Sequence, residues 1–489
     1  MSTHESDRSD IGALKGERCA VFHPDFPAGS NEMRSADGKL DEAIGLAIAI
    51  ELDVAHSEIV RMSRRPAPGT LFGSGTVERI GAIVRPHQSD ELNPNSSAED
   101  GEEEPVERRA HRRGYKKHHQ DSEISLVIIN ATLSPVQQRN LERAWKTKVI
   151  DRTGLILEIF GDRARTKEGR LQVELAALTY QRSRLVRSWT HLERQRGGLG
   201  FVGGPGETQI ETDRRLIDER IVQIKRQLTN VERTRRLHRS ARKRIPYPSV
   251  ALVGYTNAGK STLFNRMTAA TVETKDQLFA TLDPTMRRID LPSGMTAILS
   301  DTVGFVSDLP HELVQAFHAT LEEVHEADMI LHIRDIAHPD TEAQKKDVIS
   351  VLEEIGVLAS NEEEQALDSD ELVAIPFLEV INKIDLLSDE QRSTEENRLA
   401  RTDEPRIMVS AITGDGILPL GKRIDQELTR NHHLVSATMA YEDGAAVAWI
   451  YEHGNVVARY DDEDGVHIQV RLSPHDAERL RERKNVCIT

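Results

Sequence analysis

The sequence predicts an α/β protein in four parts: a small N-terminal α/β domain, an antiparallel helical hairpin, a doubly wound nucleotide-binding domain and a small C-terminal α+β module. Three observations carry that prediction. Short β-branched runs alternate with helical spacing before residue 160 and again between residues 249 and 430, the pattern of βαβ units on a mainly parallel sheet. Between these regions, two long stretches space their apolar residues in a 4-3 rhythm around a glycine-rich break, as two packed helices joined by a loop would. A glycine-containing string that starts at Gly254 follows an apolar run and opens a helical stretch. A chain of 489 residues is also too long for one compact core and suits several domains.

The N-terminal domain is expected over residues 16–160. Cys19-Ala20-Val21-Phe22 reads as a strand, and residues 41–52 as a helix with Ile44, Ala47, Ile48 and Leu52 on one face. Residues 124–129 read as a strand, 135–145 as a helix and 149–150 as a short strand. Residues 88–121 carry acidic and then basic runs with few apolar residues; such a segment cannot bury a core and is expected to be a disordered insertion. Gly73-Ser74-Gly75 stands before a helical stretch and reads as a tight strand-to-helix turn.

The hairpin is expected over residues 161–245. Leu171, Leu175, Leu178, Leu185, Trp189 and Leu192 keep the rhythm on the way out, with Arg182 in the one polar slot. Ile217, Ile221, Ile224, Leu228 and Val231 keep it on the way back. Residues 161–244 hold 21 Lys and Arg against 10 Asp and Glu, a local +11 in a chain of formal charge −16. A basic middle in an acidic protein is a localised electrostatic footprint for a polyanion.

The nucleotide-binding domain is expected over residues 246–430. Its candidate strands are 249–254, 285–289, 296–300, 329–333, 375–381 and 406–410. Its candidate helices carry Leu263 and Met267, then Leu313, Phe317, Leu321 and Val324, then Val348, Val351 and Leu352. Residues 359–372 form an acidic inserted loop. The last module, 436–489, is expected to hold a helix at 444–453, strands at 456–460 and 466–472, and a helix from Pro474.

Hydrophobic content of 38% with 4% aromatic residues suits a soluble α/β chain. The two cysteines, Cys19 and Cys487, offer neither a disulfide framework nor zinc spacing. Residues 1–7 show no apolar or basic leader, and no run of about 18 apolar residues occurs. A cytosolic location without a membrane span is expected, peripheral association with a membrane surface being left open. The chain is expected to be a monomer without a DNA partner.

The chemistry lies in four strings. Gly254-Tyr255-Thr256-Asn257-Ala258-Gly259-Lys260-Ser261, with Thr262 behind it, fits the phosphate-binding loop G-x-x-x-x-G-K-[ST]. Glycines let backbone N–H groups approach phosphates, Lys260 reaches the β- and γ-phosphates, and the Ser261 hydroxyl holds Mg²⁺. Asp301-Thr302-Val303-Gly304 follows a strand; Asp301 can reach Mg²⁺ and the Gly304 N–H can meet the γ-phosphate. Asn382-Lys383-Ile384-Asp385 fits the guanine reader N-K-x-D. Asp385 accepts from the guanine N1 and N2 groups, which adenine does not offer. Lys383 lies along the base and Asn382 braces the loop. Ser410-Ala411 completes the base contacts by its order in the chain. GTP and GDP are therefore the expected ligands. The switch threonine lies between the first two strings, where Thr281 is preferred over Thr285 because Thr285 begins a strand. Lys260, Thr281 and Gly304 form the catalytic set, and Ser261, Thr281 and Asp301 the metal set. Position 305, where many such enzymes place a water-orienting glutamine, carries Phe305; slow intrinsic turnover is expected. Asn257 adds K⁺ as a candidate second cation, because some GTPases with asparagine there use it to hold K⁺.

These strings, together with Gly204–Arg215 (GPGETQIETDRR), Leu278–Arg287 (LFATLDPTMR), Asp151-Arg152-Thr153 and residues 163–169, resemble the HflX-type GTPases over residues 17–430. The resemblance implies a GTPase that binds the large ribosomal subunit or the 70S ribosome near the peptidyl-transferase region and splits stalled or idle ribosomes, often under heat stress. It implies rRNA contacts at the hairpin tip and its flank, at Gly197, Gly198, Gly203, Gly204, Arg214 and Arg215. The tip here is more apolar than the common family form, and the two insertions depart from it. Some family members are credited with ATP binding through the N-terminal domain. Two other readings fit the same strings: an RNA-remodelling nucleotidase acting off the ribosome, and a GTP-dependent scaffold whose hydrolysis is incidental, consistent with Phe305.

Overall fold

The structure is a computed structural model that describes residues 15–27, 34–86, 123–195, 205–242, 247–268, 278–279, 284–307, 323–358, 375–401, 405–430, 432–462, 465–483 and 486–488. Thr281, the tip glycines Gly197, Gly198, Gly203 and Gly204, the segments 88–121 and 359–372, and the helix expected around Leu313, Phe317 and Leu321 lie outside the described residues. So do the side chains of Trp189 and Leu192.

The N-terminal sheet is fully parallel. Its strands are β1 (Arg18–Asp25), β2 (Asp53–Arg61), β3 (Leu126–Ile129) and β4 (Lys148–Asp151), in the order β2-β1-β3-β4. β1 and β3 are buried on both faces and read as continuous apolar runs. β2 escaped the sequence reading because it is an edge strand whose first half alternates exposed and half-buried residues. Three helices pack on this sheet: α1 (Ala36–Ala49), α2 (Ser74–Val84) and α3 (Pro135–Trp145). α1 begins five residues before the expected Asp41, because the Ser35 hydroxyl accepts from the Gly38 N–H at 3.0 Å and caps it. Ser134 and Gln137 close a capping box on α3, with Pro135 in its first turn. The Trp145 indole donates to the Val77 carbonyl at 2.8 Å, which fixes α3 to α2; truncating so large a core residue costs about 3–5 kcal/mol. No strand leads into Gly73. β2 ends at Arg61, a short bridge pairs Ala67 with Leu71, and Gly73 then caps α2. The strand-to-helix turn expected there is thus a turn-to-helix entry.

α4 (Arg152–Arg163) leads into the hairpin helices α5 (Lys167–Gln195) and α6 (Pro205–Arg242). Leu171 on α5 packs with Ile224 and Leu228 on α6, flanked by Leu175, Leu178 and Val231. Arg220 pairs with Glu174 at 2.7 Å on the outside. The described residues fall into two compact units: hairpin residues 180–195 and 205–215 group with the N-terminal sheet, and residues 163–179 and 216–242 with everything that follows. Within the first unit, the fully buried Asp151 carboxylate receives the Tyr180 hydroxyl at 2.5 Å and the Arg184 guanidinium at 2.6 Å. Burial, with the Asp151 charge, pushes the Tyr180 hydroxyl well above its usual range, so it stays a donor. Arg182, the polar slot of the sequence reading, is exposed; Arg184 is the arginine that turns inward.

The second sheet has six strands: β5 (Ser249–Gly254), β6 (Thr285–Asp290), β7 (Thr296–Asp301), β8 (Met329–Asp335), β9 (Phe377–Asn382) and β10 (Arg406–Met408). Their order is β10-β9-β8-β5-β7-β6, parallel throughout except that β6 runs antiparallel to β7. β5 and β8 occupy the centre and are almost wholly buried. α7 (Lys260–Thr268), α8 (Thr341–Glu354), α9 (Asp389–Leu399) and α10 (Ile417–Leu428) complete this α/β nucleotide-binding fold. β9 starts two residues later than expected. Pro376 has no N–H for the ladder, though its carbonyl accepts from Ile330 at 2.8 Å.

The C-terminal sheet is antiparallel, with β11 (His433–Met439), β12 (Asn455–Asp462), β13 (Gly465–Leu472) and β14 (Val486–Ile488) in the order β12-β13-β11-β14. α11 (Gly444–His453) and α12 (Pro474–Arg481) cover it around Trp449, Ile450 and Leu480. β11 and β14 were not foreseen. β11 begins before residue 436, and β14 has three residues.

Candidate GTP site

The site lies at the carboxyl ends of β5, β7, β8 and β9, where ligands bind in open parallel sheets. The loop after β5 turns back and opens α7 at Lys260. That turn needs Gly259: its φ of +92° lies in the left-handed region, and a Cβ there would overlap the Asn382 amide nitrogen. Asn257, exposed and also at positive φ, stands at the loop's outer edge. Lys260 is buried, and its ammonium donates to the Gly254 and Tyr255 carbonyls at 3.0 and 2.8 Å. Burial pushes this amine down to about 8, against the pull of Asp301. A desolvated ammonium at a helix N-terminus is a cradle suited to an anion.

The Ser261 hydroxyl donates to Asp301 Oδ2 at 2.7 Å, and Thr262 follows in the first turn, half-buried. Two oxygen ligands so close suit a hard cation that takes its other ligands from phosphate and water, as Mg²⁺ does. Among the described residues no cluster of three or more His, Cys, Asp or Glu could hold a metal ion by itself. Thr302 anchors the strand end by donating to the Leu252 carbonyl at 2.5 Å, and Val303 is buried beside it. Gly304 lies against the loop: a Cβ there would come within 2.9 Å of Lys260 Nζ and of Thr256 Cα and Cγ2.

Phe305 is more than a missing glutamine. It is 4% exposed and its backbone is zipped to the loop, its N–H donating to the Gly254 carbonyl at 3.1 Å and its carbonyl accepting from Thr256 N–H at 2.7 Å. The Tyr255 hydroxyl accepts from the Ser307 N–H at 2.8 Å and extends the same seam. Nothing in the sequence string announced this pairing.

At the base end, Asn382 is buried and spans two loops. Its amide donates to the Ala258 carbonyl at 2.9 Å and its carbonyl accepts from the Ala411 N–H at 3.0 Å. The Ser410 hydroxyl donates to Asp385 Oδ1 at 2.5 Å and fixes that exposed carboxylate. Lys383, at φ +66°, pairs with Asp335 Oδ2 at 2.7 Å. Asp335 is the residue the sequence reading missed; its only signal was a carboxylate at the end of an apolar strand. On α6, Arg214 and Arg215 are exposed. Among the described residues no helix is long and apolar enough to cross a membrane.

Comparison with known proteins gives the site its context. Residues 111–161 match the family described as "GTP-binding GTPase N-terminal", and residues 163–242 match "GTP-binding GTPase Middle Region". Residues 249–367 match "50S ribosome-binding GTPase", and residues 397–486 match "HflX C-terminal domain". The chain is 45% identical over 442 residues to the GTPase HflX of Magnetococcus marinus, covering 90% of both chains. It is 47% identical over 368 residues to the GTPase HflX of Escherichia coli, covering 74% of this chain and 82% of that one. A third relative, the GTPase HflX of Caldanaerobacter subterraneus, is 43% identical over 362 residues, covering 74% and 79%. The chain belongs to the HflX family of GTPases and is a GTP-hydrolysing enzyme.

Proposed function

We propose that this chain is a Mg²⁺-dependent GTPase that binds the large ribosomal subunit and couples its nucleotide cycle to the splitting or rescue of stalled ribosomes under stress. The observation that carries the reading is the match of residues 249–367 to a 50S ribosome-binding GTPase family, next to a segment with a local charge of +11. The parts divide the work. Residues 16–160 form the N-terminal domain, 161–245 the rRNA-binding hairpin, 246–430 the GTPase and 436–489 the C-terminal module. The exposed Arg214 and Arg215 neutralise rRNA phosphates, so binding weakens steeply with salt. The glycines at 197, 198, 203 and 204 carry no side chain, and a tip built from them would suit entry into a narrow space on the rRNA.

In the GTP state, Lys260 and the loop N–H groups hold the β- and γ-phosphates. Lys383, Asp385, Ser410 and Ala411 hold the base, in loops that Asn382 braces. Ser261, Asp301 and Thr281 are the residues that would hold Mg²⁺, which would neutralise charge on the phosphate oxygens. Asn257 is the candidate ligand for K⁺. The γ-phosphate draws in Thr281 and Gly304 and favours the ribosome-bound state; hydrolysis releases both. The enzyme works as a cytoplasmic monomer.

Light scattering of 70S ribosomes mixed with the chain tests this. A fall in scattering with GTP, absent with GDP, is expected; constant scattering under both nucleotides contradicts the reading.

A further inference from the structure

The helix that opens at Lys260 reaches the base loop through a side chain that none of the four strings contains. Arg266 lies on α7, beyond the phosphate loop. It is exposed, yet its guanidinium is tied down: Nη2 donates to the Thr413 carbonyl at 2.6 Å. The same guanidinium lies against Gly414, where a Cβ would overlap Nη2 and come within 3.1 Å of Cζ and Nε. Gly414 also has a φ of +91°, in the left-handed region, so the turn and the guanidinium seat both need glycine. Thr413 and Gly414 belong to the loop between β10 and α10, which carries Ser410 and Ala411. From Thr413 the contacts run on to the carboxylate at the base end. The Thr413 N–H donates to the Ser410 hydroxyl at 3.1 Å, and the Gly414 N–H to the Ser410 carbonyl at 2.8 Å. The Ser410 hydroxyl donates in turn to Asp385 Oδ1 at 2.5 Å. A hydroxyl has one proton; with a lone pair engaged by Thr413, that proton is aimed at Asp385.

We infer that Arg266 is a positioning residue for guanine recognition. It holds Thr413 where the Thr413 N–H fixes the Ser410 hydroxyl, and so sets the orientation of the Asp385 carboxylate. A guanidinium suits the task because it is planar, always charged and rich in donors, so it can lie flat on a glycine while one N–H meets a carbonyl. Arg266 acts through the loop and needs no contact with nucleotide. This role rests on Asp385 as the guanine reader and is independent of the ribosome.

The test uses the full chain without ribosomes. The native chain is compared with Arg266→Ala, with Arg266→Lys, and with Arg423→Ala, which removes an exposed arginine that pairs with Glu427 on α10. Release of a fluorescent GDP analogue gives the dissociation rate. Competition by GDP and by inosine diphosphate, which lacks the 2-amino group of guanine, gives the discrimination. Arg266→Ala should release the analogue about fivefold faster, as loss of one exposed charge-assisted hydrogen bond does. Its preference for GDP over inosine diphosphate should shrink about threefold, because a misaligned carboxylate loses part of its second bond to guanine. Hydrolysis at saturating GTP should stay within about twofold, since the γ end is untouched. Arg266→Lys, charged but not planar, should fall between native and alanine, and Arg423→Ala should match native. Unchanged release in Arg266→Ala overturns the inference. So does faster release with the GDP preference intact or with slowed saturating hydrolysis, which would assign Arg266 to helix packing. An equal effect in Arg423→Ala overturns it too, by assigning the change to net charge. A native chain without preference between the two diphosphates would overturn Asp385 as the guanine reader and this role together, a failure distinct from the others.

Discussion

Replacing Asn382 with alanine probes the joint that holds the two base loops to the phosphate loop. The side chain is 1% exposed and makes two hydrogen bonds to main chain, one to the Ala258 carbonyl at 2.9 Å and one from the Ala411 N–H at 3.0 Å. Each bond contributes about 1 kcal/mol net, and each main-chain group left buried without a partner costs about 1–3 kcal/mol. Water will reach part of the gap, so a total of about 2–4 kcal/mol is expected. If that energy is drawn from the arrangement that nucleotide needs, GDP and GTP affinities fall together by roughly 30- to 1000-fold. Titration with a fluorescent GDP analogue, at a temperature where circular dichroism shows the variant folded, measures the loss. Affinity within about threefold of native would show that these two bonds do not organise the nucleotide site.

Two further outcomes follow from the same geometry. Asp335→Asn removes the ion pair that holds Lys383, whose side chain is 20% exposed; a part-exposed pair contributes about 1 kcal/mol, so guanine nucleotide affinity should drop about fivefold, and an unchanged Kd would show that Lys383 needs no such anchor. His332, on the central strand β8, is 1% exposed; burial drives its imidazole down to about 3, Glu379 pulling upward and Arg334, Lys345 and Lys260 downward. An unfolded histidine titrates near ~6.5, so this contribution is complete above that pH and is lost as pH falls toward 3. Between pH 6.5 and 5 the loss is about 2 kcal/mol. Urea unfolding at pH 7 and pH 5 should therefore show a smaller pH penalty in His332→Leu than in the native chain, and equal penalties would exclude this group as the cause.

The phosphate loop was legible in the sequence because its glycines are dictated by geometry: Gly259 sits at positive φ beneath Asn382, and Gly304 touches Lys260 and Thr256. The central strands were legible because burial on both faces leaves a continuous apolar run. The hairpin helices were legible from their period, which survives although most of their surface is charged. Other features depend on pairings between distant positions. Asp335 reaches Lys383 across 48 residues, and Tyr180 and Arg184 reach Asp151 across 29 and 33. No local pattern marks such partners. The edge strand β2 and the short strand β14 carry too little apolar signal of their own and are fixed by their neighbours in the sheet. The start of α1 was set by one capping hydroxyl, not by the apolar face that the eye follows.

Sedimentation with purified large ribosomal subunits measures nucleotide-dependent ribosome binding. The chain should pellet with the subunit in a non-hydrolysable GTP analogue and much less in GDP. Its retention should fall steeply with salt, and replacing Arg214 and Arg215 by glutamate should weaken it. Equal retention in both nucleotides, or none in either, would contradict nucleotide-dependent binding.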